Sequence, residues 1–182
     1  MHTVSSRKIN TLVKNNLKVV HNTKKYYLNF QAAEKLINLV SQHTSSSKLI
    51  LTSKTPLRNY KIKLSQTVKT IVKDDFTCVI CKKKAIKAIL IPNTKCKSIT
   101  INFYTKGNVL LTKDHIVPKA NDGRNIQLNY QCMCELCNTE KGSLDNFQFL
   151  IKKGVLNWDE TFKLNWFERF VFSFIGKRIK NA

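Results

Sequence analysis

The stretch NYQCMCELCNTEKGS, residues 129–143, decides the fold. Its first half alternates as a strand does, and its second half reads as a helix that opens at the Cys134-Glu-Leu-Cys137 knuckle. A CxxC knuckle lets two thiolates approach one ion from a tight turn. A second knuckle, Cys78-Val-Ile-Cys81, lies upstream in FTCVIC, residues 76–81. One knuckle alone could be a redox pair, but two complete the tetrahedral four-cysteine set that zinc favours. The expected structural zinc ligands are therefore Cys78, Cys81, Cys134 and Cys137. Cys132 offers a competing register with Cys137. It and Cys96 are read as small semi-buried bystanders.

Working outward, NIQLNYQCMC (125–134) reads as one strand behind an Asp122-Gly123 turn, and VLLTKDHIVP (109–118) as the strand before it. ELCNTEKGSLDNFQFLIKKG (135–154) reads as one helix. Between the knuckles, AIKAILIP and SITINFYT read as strands that add a hairpin, and Gly107-Asn108 makes a turn before VLLTKDHIVP. Apolar residues at 64, 68, 71 and 72 predict a helix running into the first knuckle. Phe30, Ala33, Ile37 and Val40 predict an amphipathic one over 29–43. LILTSKTP is a short extended piece, and Asp159 to Lys177 a long aromatic-rich helix. The fold class is α+β, with helical N- and C-terminal extensions. The expected divisions are a basic extension over 1–63, a core over 64–152 and a C-terminal helix over 153–182 that packs on the core.

The chain has 32 Lys and Arg against 11 acids, a net charge of +21, which opposes compaction and points to a polyanionic partner. With 42% hydrophobic residues it is no disordered tail. Residues 1–73 hold 14 of the basic residues and the single acid Glu34, so most of the positive field lies there. No apolar stretch approaches the roughly 20 residues of a membrane span. MHTVSSRKINTLVKNN lacks a secretory h-region, though a mitochondrial transit peptide would share its basic, acid-free character. The thiols suit a reducing, intracellular compartment. Phage, bacterial and organellar origins are not separable.

Asp114-His115-Ile-Val-Pro-Lys-Ala, then NDGR, then residues 129–143, preceded by FTCVIC, resemble the HNH nuclease family with its ββα-metal motif. The matching region is about 70 residues long. It has Asp-His, Asn129, Asn138 and both knuckles in the family's order, ending in CNxxKG. The resemblance implies that Asp114 and Asn138 hold a divalent ion and that His115 is the general base. It also implies that Asn129 bonds across the loop and orients that base. An oxygen-donor pair suits Mg²⁺ better than a nitrogen-preferring ion. The third signature position is often His, and here it is Asn138. The loop after His115 has one glycine, Gly123, where the family often has two.

The function so implied is a metal-dependent endonuclease acting on DNA, most naturally duplex, by phosphodiester hydrolysis. A neutral imidazole can take a proton from water near neutral pH, which suits His115. Lys113, Lys119, Arg124 and Lys141 are expected to meet DNA phosphates, and residues 1–73 to hold the duplex. The alternatives are an RNase on the same motif and a catalytically silent zinc-stabilised nucleic-acid-binding module. Binding alone would need none of Asp114, His115 and Asn138, which counts against the silent module.

Overall fold

The computed structural model describes residues 3–20, 23–42, 49–50, 57–62 and 64–154. The expected C-terminal helix over 153–182 falls almost wholly outside them. Helix α1 (Thr3–Asn16) leads through β1 (Lys18–Val19) to β2 (Tyr26–Asn29) and α2 (Phe30–Gln42). Asn29 caps α2, its Oδ1 accepting from the Ala32 N–H at 2.8 Å. Ala32, Ala33, Leu36, Ile37 and Val40 form the buried stripe of α2. Short strands β3 (Leu49–Ile50) and β4 (Lys61–Ile62) precede α3 (Gln66–Lys73). Ser65 caps α3 through its Oγ, which accepts from Val68 N–H at 3.2 Å.

After the first knuckle come β5 (Ala85–Asn93) and β6 (Ser98–Thr105), antiparallel from Ala85↔Thr105 to Asn93↔Ser98. They centre a six-stranded sheet of order β1-β2-β5-β6-β4-β3, in which only β4 and β6 run parallel. The expected hairpin between the knuckles is thus present, but it does not stand alone. β2 pairs with β5 and β4 with β6, so residues before 63 are woven into the sheet of the inter-knuckle segment. A boundary at residue 63 cuts through that sheet.

The second sheet is the hairpin of β7 (Leu111–His115) and β8 (Tyr130–Cys134), followed by α4 (Glu135–Lys141) and α5 (Asn146–Lys152). Two expectations change here. The strand over NIQLNYQCMC is limited to β8, because Gln127–Asn129 turns as a 3₁₀ helix. The single helix over 135–154 is two, because Gly142 leaves α4 at φ 55° and Asp145 starts α5 with a capping box to Gln148. One core joins both sheets. Phe76, beside the first knuckle, packs between Phe30 of α2 (5.1 Å) and Phe103 of β6 (5.2 Å).

Candidate active site and zinc centre

The four knuckle cysteines come together with all Sγ atoms within 4.8 Å of one another, and Cys81 and Cys134 Sγ lie 3.7 Å apart. Tetrahedral zinc with Zn–S bonds of about 2.3 Å needs sulfur–sulfur spacings of about 3.8 Å. The donor set therefore fits the ion. Cys78 and Cys81 sit in a turn closed by Lys82 N–H to Cys78 O and by Cys78 N–H to Lys83 O, with Lys82 at φ 60°. Cys134 ends β8 and caps α4, which brings Cys137 into the first turn. Val79 N–H to Cys132 O ties the first knuckle to β8, the strand that ends at the second.

Cys132 stands beside the cluster and not in it. Burial, then the nearby Asp74 carboxylate and Cys78, push its thiol up to about 12, so it persists as a neutral thiol. The Asp74 Oδ2 also accepts from the Cys132 N–H at 2.6 Å, clamping the end of α3 to β8. Burial raises Cys137 and Cys134 as well. Burial also acts upward on Cys81, but hydrogen bonds from the Lys83 backbone and its cysteine neighbours bring it below the usual thiol value. Cys96 is exposed and far along the chain at the β5–β6 turn, where its Sγ contacts Ser98 Oγ at 2.8 Å.

Asp114 and His115 are the last two residues of β7, opposite Gln131 and Tyr130 of β8. Successive strand residues point to opposite faces, so the carboxylate and the imidazole address different neighbours. Thr112 and Asp114 share one face with Gln131 and Met133. Asn138 of α4 meets that face, its Nδ2 donating to Thr112 Oγ1 at 3.0 Å, while Thr112 Oγ1 donates to Met133 O. Asp114 Oδ2 accepts from Gln131 Nε2 at 2.7 Å and pairs with Lys141 Nζ at 3.0 Å. Gln131 in turn exchanges bonds with the Asn146 amide at the start of α5. Among the described residues, Asp114 Oδ1 and Asn138 Oδ1 accept no hydrogen bond. These two oxygens suit a hard divalent ion.

The imidazole of His115 lies edge-on to Tyr130, ring centroids 4.9 Å apart, with Nε2 3.0 Å from Asn125 Oδ1. An amide oxygen only accepts, so this contact is a hydrogen bond when the proton is on Nε2. Asn125 also accepts from the Tyr130 hydroxyl at 3.3 Å.

Asn129 is fully buried and spans the loop. Its Oδ1 accepts from Val117 N–H at 2.8 Å, and its Nδ2 donates to Val117 O at 3.0 Å and Arg124 O at 2.9 Å. The side chain hydrogen-bonded to the His115 ring is Asn125, which sequence reasoning missed. The solitary glycine of the loop has a steric reason: a Cβ on Gly123 would lie 1.8 Å from Val117 O.

Among the expected phosphate contacts, Lys119 and Arg124 are exposed on the loop, and Lys113 is half-buried with Nζ 3.7 Å from the Tyr130 ring centroid. Lys141 departs from the expectation. It is 1% exposed, and its ammonium also donates to His115 O at 2.7 Å. A buried cation bonded to the site's own groups is not presented to an incoming phosphate. The CNxxKG motif marked Lys141 as notable without revealing which way it points. Gln131 and Asn146 carried no such signal.

With that geometry in place, residues 78–144 match the family model described as HNH endonuclease. This part of the chain is an HNH endonuclease domain. The assignment indicates a nuclease-type function acting on nucleic acid. No curated protein and no solved structure matches the chain. No helix among the described residues is long and apolar enough to cross a membrane.

Proposed function

We propose that the protein is a metal-dependent DNA endonuclease. The observation that carries this reading is that Asp114 Oδ1 and Asn138 Oδ1, on one face of the hairpin, accept no hydrogen bond among the described residues, while the adjacent His115 ring on the other face bonds Asn125. A Mg²⁺-like ion held by Asp114 and Asn138 would neutralise charge on the scissile phosphate and on the leaving oxygen. His115 takes a proton from the attacking water at Nδ1, the nitrogen left unprotonated when Nε2 donates to Asn125. Asn125 keeps the ring in that tautomer. Asn129 fixes the loop that carries Asn125 and Arg124. A zinc ion on the four cysteines joins the turn before β5 to the start of α4, a staple that a ββα unit needs to hold catalytic groups rigidly.

The test is incubation of the purified protein with supercoiled plasmid, with and without Mg²⁺. Nicked or linear product that depends on the ion and disappears in His115→Ala is the expected result. DNA binding without cleavage under any divalent ion would replace this reading with that of a silent binding module. Cleavage of RNA alone would make the protein a ribonuclease.

A further inference from the structure

We propose that the face of the six-stranded sheet turned away from α2 is a docking surface for duplex DNA. The choice of duplex DNA as occupant rests on the nuclease reading above. One face of this sheet is spoken for. Leu28, Ala88, Leu90, Ile101 and Phe103 are buried in the core with the apolar stripe of α2. Strand register sends their neighbours the other way. Lys18 lies opposite Tyr27, Tyr27 opposite Ile89, and Ile89 opposite Asn102, so these four share the second face. Lys87 and Tyr104 sit two residues further along, and Lys61 is at the far end beside Ser98. Tyr27, Ile89 and Tyr104 are half-buried, yet among the described residues none of them packs against the core.

The chemistry of this face selects its partner. No strand of the sheet contributes an acid, and no acid occurs between Asp75 and Asp114. The single acid before Asp74 is Glu34, which belongs to α2 on the covered side. Lys18 and Lys61 are exposed, and neither makes a side-chain hydrogen bond or ion pair among the described residues. A solvated surface face of a soluble sheet ordinarily mixes both signs of charge. Around Ile89 and Ile91 this one presents cations, tyrosines, an amide and hydroxyls, the donor set that contacts phosphate and sugar. From the Lys61–Ser98 row to the Lys87–Tyr104 row is six residues of β6, or roughly 20 Å. At about 3.4 Å per phosphate along one strand, that length matches roughly six base pairs. The face also adjoins the catalytic unit. Tyr104 bridges to Leu110, immediately before β7, and Lys87 Nζ donates to Asn108 in the connecting turn.

The experiment measures binding apart from cleavage. It uses the full chain carrying His115→Ala, without divalent ion, and a short fluorescent duplex over a range of salt. Lys18→Gln/Lys61→Gln should weaken binding and flatten the dependence of log K on log salt by about one unit per lysine removed. Adding Lys87→Gln should flatten it further. The control is Lys8→Gln/Lys35→Gln, two exposed lysines on α1 and α2, which should leave the slope near that of the parent. Circular dichroism and zinc content verify folding, and Lys61→Gln alone keeps the test valid if the multiple variants misfold. An unchanged slope in the face variants, or an equal loss in the control, overturns the proposal. So does an effect confined to single-stranded DNA. Failure of the wild type to cleave plasmid, with the face effect intact, would count against the nuclease reading alone.

Discussion

Lys141 and Asp114 form a buried ion pair at 3.0 Å, and the same ammonium holds the backbone carbonyl of His115. The α4 lysine thus fixes both adjacent residues of the Asp-His pair, one through its side chain and the other through its main chain. Removing the cation strands a carboxylate that is 8% exposed. Lys141→Met should therefore cost about 3–5 kcal/mol in urea unfolding. Asp114→Asn/Lys141→Met should recover most of the loss, because the stranded charge is gone. A single-variant cost below about 1 kcal/mol would mean that the pair does not hold the site together.

The two asparagines of the loop have separable jobs. Asn129→Ala leaves the Val117 and Arg124 backbone groups without partners, each worth about 1–3 kcal/mol when buried and unmade, so thermal unfolding should shift clearly downward. Asn125→Ala removes an exposed side chain and should leave the melting temperature nearly unchanged while slowing cleavage. His115→Ala should slow it more, by roughly 10²–10⁴-fold. Equal stability losses in both asparagine variants would contradict this division.

Gly123→Ala forces a methyl group against Val117 O. The backbone must move, at a cost of about 1–3 kcal/mol, and the carbonyl displaced is one that Asn129 holds. Calorimetry should show the destabilisation and plasmid assays a reduced rate. A variant as stable as wild type would show that the loop has another conformation available.

Cys78→Ser and Cys137→Ser should each lose zinc and destabilise the fold, since structural zinc contributes directly to folding free energy. Cys96→Ser and Cys132→Ala should retain a full zinc complement by metal analysis. Zinc lost from Cys132→Ala but kept in Cys134→Ser would mean that the register of the second knuckle is shifted.

The site was more legible in the sequence than the fold around it. CxxC spacing, the Asp-His pair and the β6–β7 turn are local patterns, and local patterns survive in one dimension. The sheet does not, because β1, β3 and β4 are two residues long and owe their existence to strands elsewhere in the chain. A two-residue strand has no periodicity to read. Asn125, Gln131 and Asn146 escaped notice for a related reason: polar residues in a loop, in a strand and at a helix start are unremarkable until folding places them together. Lys141 misled because lysine is ordinarily a surface residue, and its burial depends on a carboxylate 27 positions earlier.

The strand order has a bearing on how such a protein can change over generations. Its large sheet is encoded in pieces, β1 and β2 before α2, β4 beyond it, and β5 with β6 between the zinc knuckles. A genetic exchange that carried only residues 78–144 would bring β5 and β6 without their outer partners, leaving both hydrogen-bonding edges open to aggregation. Chimaeras joined near residue 63 should accordingly be insoluble, whereas exchanges of the whole span from β1 through α4 should keep each strand with its partners. The β7–β8 hairpin and the six-stranded sheet are in this sense inherited as a unit.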